Sequence, residues 1–339
     1  MNGWSGPSSS GGDAGTPPVV GWAAPSDEGL AVGGTLSAGW ALTRAHLGDL
    51  AAVAAIPVGL WTLTLLPFWI TMTQLFDAWV RFFTETDFSQ YAGDPDALRR
   101  DMDAIFRPAT NMSLAAGLSA SLGVVIAIVG AAAVAQATLD AARGRDITIG
   151  RAFGAVADHA AAIVGPAIVL GAAYLLVFVP FGLSQGSVTT GAGTAASSIV
   201  YLGLTVLSWI VIAAVLYFAV RWAVVLQVIL AEDCGLVPAL ARSGTLSQGV
   251  RVRMAVVLFA AGFLVSVALS IPTWIAAIVG WLVTGSVAVG MGVYLLGLAV
   301  GGLIGMPFLM AMLTVIYDRR VAAVDGAAPS GPDPAEPAG

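Results

Sequence analysis

Residues Leu50–Phe76 read LAAVAAIPVGLWTLTLLPFWITMTQLF, and none of these 27 positions carries a charge. An α-helix rises about 1.5 Å per residue and a bilayer's hydrocarbon core is about 30 Å thick, so roughly 20 apolar residues cross it. This stretch is long enough to cross. The same ruler finds further spans along the chain. Pro108–Leu139 is uncharged, with a span expected from near Met112. No fixed charge lies between Asp158 and Arg221, and the polar run Ser184–Ser198 (SQGSVTTGAGTAASS) divides that stretch into two spans. Met254–Tyr317 is uncharged again and holds about two more, with Pro272 and Thr284-Gly285-Ser286 as candidate breaks. The expected fold is all-α: a polytopic membrane helix bundle with six transmembrane helices over 34–320.

Composition agrees with lipid as the main solvent. Of the 339 residues 58% are hydrophobic and only 10% are charged, where a soluble domain carries about 25% charge. All 14 basic residues are arginine, and the net charge is −6. That balance offers no basic face to nucleic acid. A single cysteine, Cys234, excludes an internal disulfide and a cysteine-rich metal site. Residues 1–33 and 321–339 are rich in Gly, Pro, Ser and Ala and have little to bury, so both are expected to be disordered cytoplasmic tails. The first lacks the basic and apolar regions of a signal peptide.

Arginine placement orients the spans, because positive loops stay in the cytoplasm. Six spans put Arg44, Arg143, Arg145, Arg151, Arg221, Arg242, Arg251, Arg253, Arg319 and Arg320 on one side. Arg81, Arg99, Arg100 and Arg107 fall on the other, in an expected external loop, 77–108, with seven acids. Ten against four predicts a multi-pass cell-membrane protein with both termini cytoplasmic. Within the loop, Asp94-Pro95 marks a helix start, and Leu98, Met102, Ile105 and Phe106 make an apolar stripe.

Pairing the spans exposes a weak repeat. Each pair is preceded by a short amphipathic segment on the arginine-rich side: Leu36–Arg44, Ile149–Val156 and Leu240–Leu246. Leu36 and Trp40, like Ile149 and Phe153, are four residues apart and share a helix face. Such a helix is expected to lie in the interface, apolar side toward the acyl chains and arginine toward the headgroups. Arg44, Trp40, Phe153 and Arg242 are therefore interface candidates.

Tyr217-Phe-Ala-Val-Arg221-Trp222, Ile229-Leu-Ala-Glu232-Asp233 and Pro238-Ala-Leu240-Ala-Arg242-Ser243 resemble a pattern in a bacterial family of six-helix membrane domains. The family is similar to YciC-like proteins and to the membrane domain attached to some glycerophosphoryl diester phosphodiesterases. Leu36–Gly48 resembles its N-terminal helix, and the resemblance covers roughly 35–320. Gly244 departs from the pattern, which carries an aromatic residue there. The resemblance implies the fold and a membrane location. It implies no phosphodiesterase activity, since the catalytic barrel of the fused relatives is a separate domain.

Arg221 and Trp222 carry two open readings. If the fourth span is Val200–Val220, they anchor the inner interface. If it runs to Ala231, Arg221 lies about 15 Å inside the membrane and needs an anionic partner, such as a lipid phosphate. Gly297, Gly301 and Gly305 form two small-xxx-small steps. That spacing suits close helix packing within the bundle or a homodimer face. His46 and His159, with Asp49 or Asp158, are too few and too loosely spaced for a metal site. No acidic residue falls inside an expected span, which counts against an ion-coupled transporter. The expectation is a non-catalytic scaffold, lipid-binding or accessory protein, with no cofactor. Its expected partners are membrane lipids, and another membrane protein or a second copy. A small-solute transporter or channel is the alternative.

Overall fold

The computed structural model describes residues 31–86, 88–91, 94–172, 202–203, 206–207, 209–210 and 217–326. Among them the regular structure is helical: α1 (Val32–Ala45), α2 (Leu47–Glu85), a 3-10 turn (Phe88–Tyr91) and α3 (Pro95–Ala142). There follow α4 (Ile149–Asp158) and α5 (Ala160–Ala172). Then come α6 (Val225–Glu232), α7 (Leu236–Leu246), α8 (Arg251–Thr284) and α9 (Val287–Asp325). Among the described residues four helices are long and apolar enough to cross a membrane: α2, α3 over Ala116–Ala142, α8 and α9. The pair α4–α5, bent by 80°, brings the number to five if it is one broken span. These are the helices of a membrane protein. The break at Ser184–Ser198, most of the expected fourth span and the tails at 1–30 and 327–339 lie outside the described residues.

Two boundaries are sharpened. Segment 77–108 is largely helical, and the helix start expected at Asp94-Pro95 is present. Helix α2 continues through Glu85, and α3 starts at Pro95 and runs unbroken for 48 residues, about 72 Å. The Asp94 carboxylate accepts from the backbone N–H groups of Asp96 and Ala97 at 3.1 Å, which caps the new helix. Charged residues alone do not end a helix. The second is at Pro272, which lies inside α8 rather than between spans. The break falls at Gly285, whose φ of +67° belongs to the left-handed region that ends helices. Met254–Tyr317 therefore holds two helices.

Threonine hydroxyls inside α2 are satisfied locally: Thr62 and Thr73 donate to the carbonyls of Val58 and Trp69, both at 2.8 Å. This removes the cost of placing them in hydrocarbon. Helices α2 and α3 pack lengthwise, α9 runs beside α2 and α8, and α1 crosses α9. The glycine ladder of α9 faces α8. A Cβ at Gly297 would collide with Thr273, one at Gly301 would meet Leu269 Cδ1 at 3.3 Å, and one at Gly305 would meet Val265 Cγ1 at 2.8 Å. Residues four apart on α8 thus fit residues four apart on α9.

Burial is concentrated at one end. Leu50 and Val53 at the start of α2, Val134 and Ala137 near the end of α3, Met254 at the start of α8, and Met312 and Ile316 near the end of α9 are all buried. The remaining length shows large apolar side chains outward, among them Leu63, Ile70, Phe259 and Leu282. Lipid solvates such a surface well, and water does not. The buried end is also the arginine-rich end.

Candidate functional site

At that end the short helices form a collar around the ends of the long ones. Its centre is Asp140, two residues before the end of α3 and 1% exposed. Arg145 Nη2 reaches Asp140 Oδ1 at 2.6 Å, and Arg151 Nε, from α4, reaches Oδ2 at 3.3 Å. The Gln136 amide, one turn earlier, donates to Oδ1 at 3.0 Å. A buried carboxylate is tolerable only when paired and hydrogen-bonded in this way. Beside it the hydroxyls of Thr138 and Thr314 bond across α3 and α9 at 2.9 Å.

The collar is tied to α9 at three more places. Arg319 Nη1 donates to Thr35 Oγ1 of α1 at 3.1 Å. Arg320 Nε donates to the Leu246 carbonyl at the end of α7 at 2.7 Å. Arg242 of α7 bridges Glu232 and Asp325, and the Tyr317 hydroxyl donates to Glu232 at 3.2 Å. His159, at the α4–α5 bend, meets Asp233 Oδ1 at 2.9 Å. Nearby, burial first, then the charges of Glu232 and Asp233, push the Cys234 thiol up. Among the described residues, no group of three His, Cys, Asp or Glu side chains is placed to hold a metal ion.

The interface candidates divide. Arg242 is committed to two carboxylates. Phe153 is half-buried and packs on the core, while its neighbour Arg151 turns inward to Asp140. Helix α1 buries its small face: a Cβ at Gly39 would sit 3.0 Å from the Met312 backbone. That close approach leaves Trp40 47% exposed, its ring edge-on to Phe308 at 6.1 Å. Arg44 is exposed and has no ion pair among the described residues. The short helices therefore use their buried faces against protein, and present Trp40 and Arg44 outward.

The helical turn 217–221 stops at Arg221, and residues 222–224 form a turn before α6. Trp222 stacks on Phe218 with ring centroids 4.5 Å apart. The Arg221 guanidinium lies over Gly244 of α7, 3.7 Å from where a Cβ would stand. The missing side chain at 244 is what gives the arginine its place. Ser243 Oγ donates to the Arg221 carbonyl at 3.3 Å, fixing the crossing. No carboxylate pairs with Arg221 among the described residues, and its Nε is buried without a partner. Gln227, six residues on in α6, is fully buried and also unpaired among the described residues.

Asp140 escaped the sequence reading because it stands one residue beyond an uncharged run. The signal was present in Gln136-Ala-Thr-Leu-Asp140: a polar pair four apart, followed closely by three arginines. A second feature lies toward the far end, where an apolar groove of about 690 Å³ opens between α2 and the α8–α9 hairpin. Trp79, Phe83, Trp274, Trp281 and Tyr294 contribute to its walls, and no charged side chain does. Comparison with known proteins finds no matching protein-family model, no similar curated protein and no similar solved structure.

Proposed function

We propose that this chain is a six-span protein of the cell membrane with both termini cytoplasmic. In this reading the spans form three pairs, each led by one collar helix. The protein does no chemistry of its own and acts as a lipid-binding scaffold or accessory of the cell envelope. The observation that carries the reading is the collar itself. It gathers ten arginines at one end, spends about half of them on internal ties, and leaves Arg44 and Arg221 without carboxylates. Unpaired arginine at a membrane surface attracts anionic headgroups. The buried acid Asp140, neutralised by two arginines, offers no free site to a transported ion.

Topology is checked by reporter fusions. A periplasm-active reporter placed after Gly93 should be active, and a cytoplasm-active one after Gly326 should be active too. Reversed signals would overturn the orientation. Arg221→Ala should leave membrane insertion unchanged and weaken co-purification of anionic lipid, by about fivefold if one surface arginine is lost. Lipid retention equal to wild type would remove Arg221 from the role. Saturable solute flux in proteoliposomes would favour a transporter instead.

A further inference from the structure

We infer that the α7–α8 turn is a headgroup site for an anionic phospholipid, whose acyl chain lies along α8. The inference rests on the membrane reading above and adds residues to it. A cavity of about 540 Å³ at this turn is lined by Gln248, Gly249, Arg251, Val252 and Arg253. Neither arginine has a carboxylate partner among the described residues, and Arg251 Nε is buried with no acceptor. They stand in the first turn of α8, which contains no acid and has no side-chain cap. Positive side chains at the positive end of a helix dipole are unfavourable. An anion bound between them offsets both charges and accepts their hydrogen bonds. The turn's shape is fixed: Arg320 Nη2 donates to the Gln248 carbonyl at 3.2 Å, and Gly249 takes a φ of +77°.

The apolar half of the site starts at the same place. Val252, Val256, Phe259 and Phe263 are 78%, 48%, 75% and 57% exposed. Their spacing of four, three and four residues puts them on one stripe of α8, with Arg251 and Arg253 flanking its first member. Phe259 and Phe263 stack nearly parallel, at 15° between planes. From Val252 to Phe263 the helix rises about 16 Å, close to the hydrocarbon depth of one leaflet. The two arginines on either side of Val252, the exposed valine and the aromatic track match phosphate, glycerol region and acyl chain in that order. A soluble anion would use only the first of these.

The test is native mass spectrometry of the full chain in neutral detergent, titrated with phosphatidylglycerol or phosphatidylcholine. The wild type should prefer phosphatidylglycerol. Arg253→Gln should weaken that binding about fivefold, and Arg251→Gln with Arg253→Gln about thirtyfold. Phe259→Ala should weaken it as well, and millimolar inorganic phosphate should not compete. Unchanged phosphatidylglycerol affinity in the double variant would overturn the site. Should that variant misfold, Arg253→Gln decides, since Arg253 is exposed and unpaired. Full competition by inorganic phosphate would make it a free-anion site and overturn the lipid assignment. Carbonate washing of native membranes separates the two levels of failure. A protein released by the wash overturns the membrane reading, whereas a retained protein with unchanged lipid affinity overturns this site alone.

Discussion

Replacing Arg145 and Arg151 together by alanine should lower the unfolding free energy by about 3–5 kcal/mol, the range seen when a buried ion pair loses one side. Asp140 is nearly inaccessible to solvent, whereas its two partners are 37% and 44% exposed at their side chains. Removing the arginines strands a carboxylate inside the collar. Removing the carboxylate leaves two guanidinium groups that can turn to water or headgroups. Asp140→Asn should therefore cost less, about 1–2 kcal/mol, because the amide keeps its shape and Gln136 still has an acceptor. Asp140→Leu added to the double arginine variant should recover most of the loss, since no charge is then buried unpaired. Denaturant unfolding followed by tryptophan fluorescence in detergent ranks the three. If Asp140→Asn costs more than the double variant, the desolvated carboxylate is not the centre of the collar.

That ranking turns on a residue the sequence reading passed over. Spans such as Leu50–Phe76 were legible because bilayer thickness sets a length that uncharged runs report directly. The short helices at 32–45 and 149–158 were legible from spacing, since i,i+4 apolar pairs need only local geometry. What each helix packs against is tertiary information. Arg242 looked like a headgroup ligand because its acid partners, Glu232 and Asp325, are 10 and 83 residues away. The outward role of Trp40 was readable, but not the small face of α1 at Gly39, because a glycine carries no amphipathic signal. The two readings of Arg221 turned on helix length, which hydropathy does not resolve when apolar residues continue past the charge. The glycine ladder left its partner open between α8 and a second copy, and α8 covers it in this structure.

Gly297→Ala should destabilise the α8–α9 hairpin by about 1–3 kcal/mol, the usual cost of overpacking, while Gly301→Ala should be neutral or slightly stabilising. Both changes gain helix propensity, about 1 kcal/mol for alanine over glycine, so sterics decide the sign. At 301 the new methyl meets the flexible end of Leu269, 3.3 Å away, which can shift by a few tenths of an ångström. At 297 it meets Thr273, a β-branched side chain with little rotamer freedom. Its hydroxyl is further held by a 2.6 Å hydrogen bond to the Leu269 carbonyl. Gly290 is tighter in kind: its Cβ would stand 2.8 Å from the Ala277 carbonyl oxygen, and backbone cannot rotate away. Gly290→Ala must therefore part the two helices near Gly285. Thr273→Ala should relieve much, not all, of the Gly297→Ala cost, since the Thr273 Cβ that alanine keeps stands 2.9 Å from the new methyl, and it should leave Gly290→Ala unrescued. The readout is loss of helical signal against SDS fraction, together with crosslinking between cysteines placed on α8 and α9. Equal rescue at both positions would show that general loosening of the hairpin, rather than the contact with Thr273, sets the cost at Gly297.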